Sequence, residues 1–253
     1  MDIGTLVSTQ LQFAQLSQST STRTTTQVGD LTAPAAQRIG RQFESTNVQL
    51  SAYGQIKSAF AGAQTAATAL GTSATSKTAP SADIVKAAQA FVDSYNLAVK
   101  TVSGATANSA SQPGALASDL RARAAATDLA RSVTSGNALA SLKQAGIALN
   151  RNGTLTLDTK ALQQALQSSG TQTKGALASL AGQVGGAAGR ELAGTGNVGI
   201  SVARLTSRAQ ALAGQQSALQ QQAASVQSTL DRQGATLNYA TANGLAAYQR
   251  LMG

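Results

Sequence analysis

Apolar and small residues recur every seven positions along residues 201–253, in two interleaved series. Such a repeat is the a/d pattern of a helix that winds against another helix, and it continues for about seven heptads. The stretch contains no proline, and Gln and Ala fill most of its other positions, as suits a long helix. The pattern predicts a C-terminal helix over residues 201–253, whose seam comprises Val202, Leu205, Leu212, Leu219, Val226, Leu230 and Leu237.

A second heptad repeat predicts another long helix over residues 38–70. A narrow apolar stripe of this kind does not fold alone, because one helix cannot bury it. We therefore expect this helix to pair with the C-terminal one, in a parallel or an antiparallel orientation, so that the two ends of the chain meet. The seam residues predicted on it are Ile39, Phe43, Leu50, Tyr53 and Phe60.

The chain before this helix has a different pattern. Apolar residues at helical spacing occupy positions 1–20, whereas residues 17–37 are rich in Ser and Thr and contain Pro34, which disfavours a helix. We interpret residues 1–37 as an N-terminal helix followed by a flexible leg segment. This helix is either a contact with a partner or a frayed terminus, since the chain offers it no evident neighbour. Its apolar residues include Ile3, Leu6, Val7, Phe13 and Leu16.

Shorter elements fill the middle of the chain. The spacing of apolar residues predicts two helices within residues 83–135. Residues 147–157 have the alternation and the Asn-Gly turn of a β-hairpin, with Gly153 at a position that needs positive φ. Asp158 follows as the cap of a short helix. Residues 170–199 are rich in Gly and Ala, and they predict a linker with weak helical character.

These patterns together predict a mainly α fold, in which long terminal helices form a coiled coil or helical bundle with one small β-hairpin. Residues 38–253 would make up this helical core. Aromatic residues are only 3% of the chain and charged residues 11%, well below the usual share of charge. The core must therefore be built from many small contacts, and the weakly charged surface favours assembly with other subunits.

The composition argues against several kinds of function. The chain has no His and no Cys, and its ten Asp and Glu residues are dispersed, so we expect no enzyme, no metal site and no cofactor. The net charge of +9 comes from scattered Lys and Arg residues with few aromatic residues for base stacking, which argues against nucleic-acid binding. No apolar run is long enough to insert into a membrane, and the N-terminus lacks the pattern of a cleaved signal peptide.

Three stretches resemble one family, in the order in which that family has them. Residues 90–96 and 146–158 resemble the C-terminal half of bacterial flagellar filament-capping proteins, the hook-associated protein 2 family, and residues 49–60 resemble its N-terminal coiled-coil helix. The family's outer β-rich domains lie between these helices, where this chain has only residues 71–82. It thus resembles a short form without those domains. The motif residues are Phe91, Tyr95, Asn96, Gly146, Gly153, Leu155 and Asp158.

The resemblance implies a structural flagellar protein that leaves the cell through the flagellar type III export apparatus, served by an export chaperone, without a cleaved signal peptide. It implies a homo-oligomeric ring of about five subunits at the extracellular tip of the filament, which guides flagellin into the lattice. Residues 1–20 would then be the candidate contact with the filament or with flagellin. A hook–filament junction protein or another axial component is the alternative, and a generic coiled-coil adaptor is a third hypothesis.

Overall fold

The computed structural model describes residues 26–134 and 138–252, which form seven helices and one β-hairpin. The two strands pair antiparallel, with Ile147 opposite Leu157 and Leu149 opposite Leu155. The predicted mainly α fold with one small hairpin is therefore confirmed. In chain order the elements are α1 (Thr26–Thr75), α2 (Ser81–Ala105), α3 (Leu120–Thr134), α4 (Ala138–Gln144), β1 (Ile147–Leu149), β2 (Leu155–Leu157), α5 (Thr159–Ser168), α6 (Gly170–Leu192) and α7 (Asn197–Met252).

Helix α1 begins at Thr26 and contains Pro34, so the helix-breaking segment predicted over residues 17–37 is wrong from residue 26 onward. A proline inside a helix removes one hydrogen bond and costs about 3 kcal/mol, but its φ is that of a helix. In a helix of 50 residues, packing along the rest of the helix offsets that cost. The predicted contact residues Ile3, Leu6, Val7, Phe13 and Leu16 lie outside the described residues.

The structure divides into two compact units. One unit comprises residues 44–210, and the other combines the described parts of residues 1–43 and 211–253. The second unit consists of the N-terminal part of α1 and the C-terminal part of α7, so the two ends of the chain group together. No described helix is apolar enough over a sufficient length to cross a membrane.

The hydrophobic core of the 44–210 unit is formed by one face of each of its helices. Helix α2 packs against α3, α5 and β2, whereas α6 packs against α3, α4 and α5. Four of the eight Phe and Tyr residues of the chain are buried here, where a large ring buries the most apolar surface for each position used. The largest fully buried side chains of the described part include Tyr53, Tyr95, Phe60, Phe91, Ile56, Leu70, Ile84 and Leu129.

Helix α6 occupies most of the segment that the sequence predicted to be a linker. It runs from Gly170 to Leu192 and buries Leu177, Leu180 and Val184 in the core. Its glycines allow α1 to approach closely: a Cβ at Gly185 would lie 3.4 Å from that of Ala67. Glycine lowers intrinsic helix propensity, so the sequence favours a linker, but close packing on α1 outweighs that preference.

A short link of residues 76–80 joins α1 to α2. Residues 71–75 of the polar stretch 71–82 belong to α1, and there the Thr72 and Thr75 hydroxyls donate to the carbonyls four residues earlier. The Ser76 hydroxyl then accepts hydrogen bonds from the backbone N–H groups of Thr78 and Ala79, at 3.3 and 3.1 Å. The link is therefore an ordered turn held by its own side chains.

Candidate assembly site

Two of the motif residues meet where α2 contacts the hairpin. The Asn96 Nδ2 donates to the carbonyl oxygen of Leu155 at 2.8 Å, and the Leu155 N–H donates to Asn96 Oδ1 at 2.7 Å. The neighbouring residue, Thr154, pairs with Asn150 across the hairpin, so the backbone groups of Leu155 point away from β1. Asn96 therefore takes the place of a neighbouring strand and closes the outer edge of β2.

The hairpin turn is fixed by its own backbone and side chains. Gly153 has a φ of 80°, the positive value that the sequence predicts, and its N–H donates to the Asn150 carbonyl at 3.0 Å. The Asn150 N–H in turn donates to the Thr154 carbonyl at 2.8 Å. Asn152 Oδ1 accepts from the Thr154 N–H at 3.1 Å. The polar groups of this turn are thus used within the turn itself.

Gly146 and Asp158 hold the other end of the hairpin. The Asp158 N–H donates to the Gly146 carbonyl at 2.8 Å, and Asp158 Oδ1 caps α5 by accepting from the N–H groups of Lys160 and Ala161 at 3.0 Å each. Gly146 has a φ of 73°, and a Cβ there would lie 2.8 Å from the Asp158 carbonyl oxygen. Only glycine fits this position without strain or a backbone shift.

Phe91 and Tyr95 belong to the core of the 44–210 unit. Both side chains are fully buried, and their ring centroids lie 6.3 Å apart. Burial raises the pKa of Tyr95 to about 12. Within the described part of the chain its hydroxyl has no hydrogen-bond partner. The motif residues described so far therefore make contacts that stabilise the fold.

The seam predicted on α1 is buried to different depths. Ile39, Phe43 and Leu50 are half-buried, whereas Tyr53 and Phe60 are completely buried. The position seven residues after Leu50 is Lys57, which is exposed. The residues buried in the core are instead Ile56, Ala63 and Leu70. The buried stripe shifts by one position because the ammonium group of Lys57 stays in water.

The seam predicted on α7 is covered at its beginning and open farther along. Val202 and Leu205 are half-buried, Leu212 is only 5% exposed and Leu219 is half-buried. Val226 and Leu230 are each 42% exposed although they continue the same heptad spacing. The side chain of Leu237 lies outside the described part. We call Leu219, Val226 and Leu230 the open seam; it is an apolar stripe that the described residues of this chain cover incompletely.

A buried tyrosine in the middle of α1 lies opposite the first turns of α7. The Tyr53 hydroxyl on α1 faces Ser201 of α7, which is 5% exposed, and Asp119 of the loop before α3. Burial raises the pKa of Tyr53 to about 12, with Ser201 lowering it and Asp119 raising it. No hydrogen bond of good geometry reaches this hydroxyl from the described residues. The sequence identified Tyr53 as a seam residue but gave no signal for Ser201 or Asp119.

A polar cleft of about 400 Å³ lies between α3 and α6. At its edge Glu191 is 5% exposed and accepts two hydrogen bonds from Asn197, at 3.0 Å from the backbone N–H and at 3.2 Å from Nδ2. Burial raises the pKa of Glu191, and so does the neighbouring Asp128 carboxyl. Periodicity gave no indication of this cleft, which is lined by Asp128, Arg131, Ser132, Gly182, Gln183, Ala187, Arg190 and Glu191.

The described residues contain no group of three or more Asp, Glu, His or Cys side chains placed to hold a metal ion.

Residues 65–243 match the family model described as flagellar hook-associated protein 2 C-terminus, which covers more than half of the chain. The match includes α2, the hairpin and most of α7. No curated protein matches the chain, and no solved structure does.

Proposed function

Because the chain belongs to the flagellar hook-associated protein 2 family of bacterial flagellar cap proteins, we propose that it caps the growing filament at its extracellular tip and guides flagellin into the lattice. Its proposed partners are further copies of itself, flagellin, an export chaperone and the flagellar type III export apparatus. It acts as a structural protein rather than an enzyme, and it uses no cofactor.

The open seam of α7 is the observation that carries this proposal. A cap has to bind further subunits, and a helix that does so needs an apolar stripe left uncovered in the single chain. Val226 and Leu230 are such residues, each 42% exposed at heptad spacing. Covering them would gain about 25 cal/mol for each Å² of apolar surface removed from water.

We propose that copies of the chain assemble into a closed ring of about five subunits. In a closed ring every copy has the same two neighbours, so each open seam is covered and no subunit is left with an exposed stripe. The low share of charged residues, 11%, weakens repulsion between the copies and supports such packing.

The proposed contact with flagellin or with the filament lies at the N-terminus, in residues 1–20. Its apolar residues follow a helical spacing, and the sequence offers this helix no evident partner within the chain. Deleting these residues should leave the fold of residues 44–210 intact and impair assembly. A loss of helicity far beyond the deleted residues would contradict this assignment.

Immunogold labelling of intact flagella with an antibody to this protein tests the proposed function. We expect label at the distal tip of the filament. Label at the hook–filament boundary would replace the cap with a junction protein of the same axial structure. Label confined to the cell body would contradict both and favour a coiled-coil adaptor.

A further inference from the structure

The stretch that joins α6 to α7 is rich in glycine, yet its backbone is closely packed. A Cβ at Gly196 would collide with the carbonyl oxygen of Arg190, and a Cβ at Gly199 would collide with that of Ala193. Neither glycine has a positive φ, so the close approach of the backbone is what requires them. Residues 193–199, whose glycines are typical of a flexible hinge, therefore form a tight corner.

One carboxyl group holds this corner. Glu191 is only 5% exposed; its Oε2 accepts a hydrogen bond from the backbone N–H of Asn197 at 3.0 Å, and its Oε1 accepts one from Asn197 Nδ2 at 3.2 Å. Asn197 is the first residue of α7, and the first turn of α7 contains no acidic residue. An acidic group stabilises the N-terminal end of a helix, where the first N–H groups lack partners within the helix. Glu191 thus supplies from α6 the acidic cap that the first turn of α7 lacks.

The same end of α7 is also held by burial. Val198 is completely buried and Ser201 is 5% exposed, so one face of the first turns packs into the 44–210 unit. Apolar packing has no preferred direction, whereas the two hydrogen bonds between Glu191 and Asn197 fix both the position and the direction of the first residue. The start of α7 is therefore held along one face and at its N-terminal end.

We propose that Glu191 is a positioning residue, which holds the start of α7 rigidly on the end of α6 and thereby favours self-association through the open seam. Helix α7 continues from the corner as a single helix to Met252 and carries that seam. A helix whose start is already fixed loses less conformational freedom when a second copy binds to it. The role in self-association rests on the proposed function, whereas the rigidity of the corner rests on the contacts of Glu191 alone.

Pulsed electron–electron double resonance on the full chain tests the rigidity of the corner. The chain has no cysteine, so nitroxide labels on Thr171→Cys in α6 and Ser207→Cys in α7, both at exposed positions, report one distance within the 44–210 unit. Dilution with unlabelled protein suppresses distances between copies. We expect a narrow distance distribution in the labelled parent and a broader one when Glu191→Ala is added. Glu191→Gln should restore the narrow distribution, because it keeps an oxygen acceptor for the Asn197 N–H.

Two further variants complete this measurement. Glu44→Ala removes an exposed glutamate of α1 and should leave the distribution narrow. Asn197→Ala removes one of the two hydrogen bonds and should broaden the distribution less than Glu191→Ala does; it also replaces that variant if circular dichroism shows the latter to be unfolded. A residue that only stabilised the fold would change the melting temperature and not the distance distribution. A broad distribution in the parent, or a narrow one in both Glu191→Ala and Asn197→Ala, would overturn the rigid corner.

Analytical ultracentrifugation of the unlabelled variants tests the role in self-association. Glu191→Ala should weaken self-association about tenfold although the seam is unchanged, and Glu191→Gln should restore it. Equal association constants for wild type and a Glu191→Ala chain with a broadened distribution would overturn this role and leave the proposed cap function standing. A wild-type chain that does not self-associate would contradict the proposed function itself, and the distance distributions would still decide whether the corner is rigid.

Discussion

Asn96 and Leu155, 59 positions apart in the chain, are joined by two hydrogen bonds in which a side-chain amide replaces the backbone of a strand. Both residues belong to the motifs by which the sequence resembles its family. The relationship gives these motifs a physical meaning, because they specify how α2 docks on the hairpin. It also explains why a hairpin of two three-residue strands is stable inside a helical protein.

Replacing Asn96 with Ala should leave the N–H and the carbonyl of Leu155 without partners in a partly buried setting. We expect a loss of about 2 kcal/mol in the free energy of unfolding. Denaturation in urea measures it, with Gln89→Ala as the control, since Gln89 lies on the same helix and bonds only to an exposed Asp93. Equal losses in the two variants would mean that the Asn96 amide contributes no more to the free energy of unfolding than the Gln89 amide does.

Gly146→Ala and Gly153→Ala form a matched pair. Both glycines have positive φ, which costs another residue about 1–2 kcal/mol. At Gly153 the new Cβ meets only Val99 at 3.8 Å, whereas at Gly146 it meets the Asp158 carbonyl oxygen at 2.8 Å. We therefore expect Gly146→Ala to lower the unfolding free energy more, and thermal melting of both variants compares them. A larger loss at Gly153 would contradict the geometry of the hairpin ends.

The substitutions Leu230→Asp and Leu212→Asp should affect self-association and folding differently. Leu230 is 42% exposed and belongs to the open seam, so Leu230→Asp should weaken self-association with little change in the stability of the single chain. Leu212 is 5% exposed, so Leu212→Asp should cost several kcal/mol in folding.

Light scattering coupled to size exclusion measures the self-association of Leu230→Asp. Circular dichroism measures the folding stability of Leu212→Asp. Leu97→Asp, at a 59% exposed leucine on α2, is the control for a charge placed outside the seam. Self-association that survives Leu230→Asp but not Leu97→Asp would place the interface on α2 instead.

The two buried tyrosines predict how the protein responds to alkali. Burial raises the pKa of both Tyr53 and Tyr95 to about 12. The neutral phenols therefore favour the folded state; their contribution is complete below the ordinary pKa of about 10 and is lost as the pH rises toward 12. Ultraviolet titration of tyrosinate should show a step near 12 that coincides with unfolding, and Tyr53→Phe or Tyr95→Phe should each remove part of it. Ionisation of every tyrosine well below that pH would contradict their burial.

Periodic and local features of the fold could be predicted from the sequence, whereas long-range features could not. The heptad series on α7 includes Leu212, which is buried, although it leaves out Val198 and Ser201, which are buried near the start of the helix; the Asn-Gly dipeptide predicts the positive φ of Gly153. Both depend on neighbouring positions alone. The extension of α1 through Pro34 was missed, because a single unfavourable residue is outweighed by packing of the rest of the helix.

The same distinction applies to the candidate sites. Helix α6 was interpreted as a linker, because the low propensity of glycine is visible in the sequence while the close approach of α1 is not. Glu191 and Asp128 are 63 positions apart and share no spacing rule, so only the folded chain places them on the same cleft. Residues of this kind have to be found in a structure.

The exposure of the α7 seam increases along the helix, and this has a consequence for how the protein's stability must be measured. A stripe that another copy covers adds free energy to the folded state in proportion to the logarithm of the protein concentration. The melting temperature of this protein should therefore rise as the solution is made more concentrated. A single value measured on a dilute sample would describe a molecule in which Val226 and Leu230 of α7 are still exposed to water.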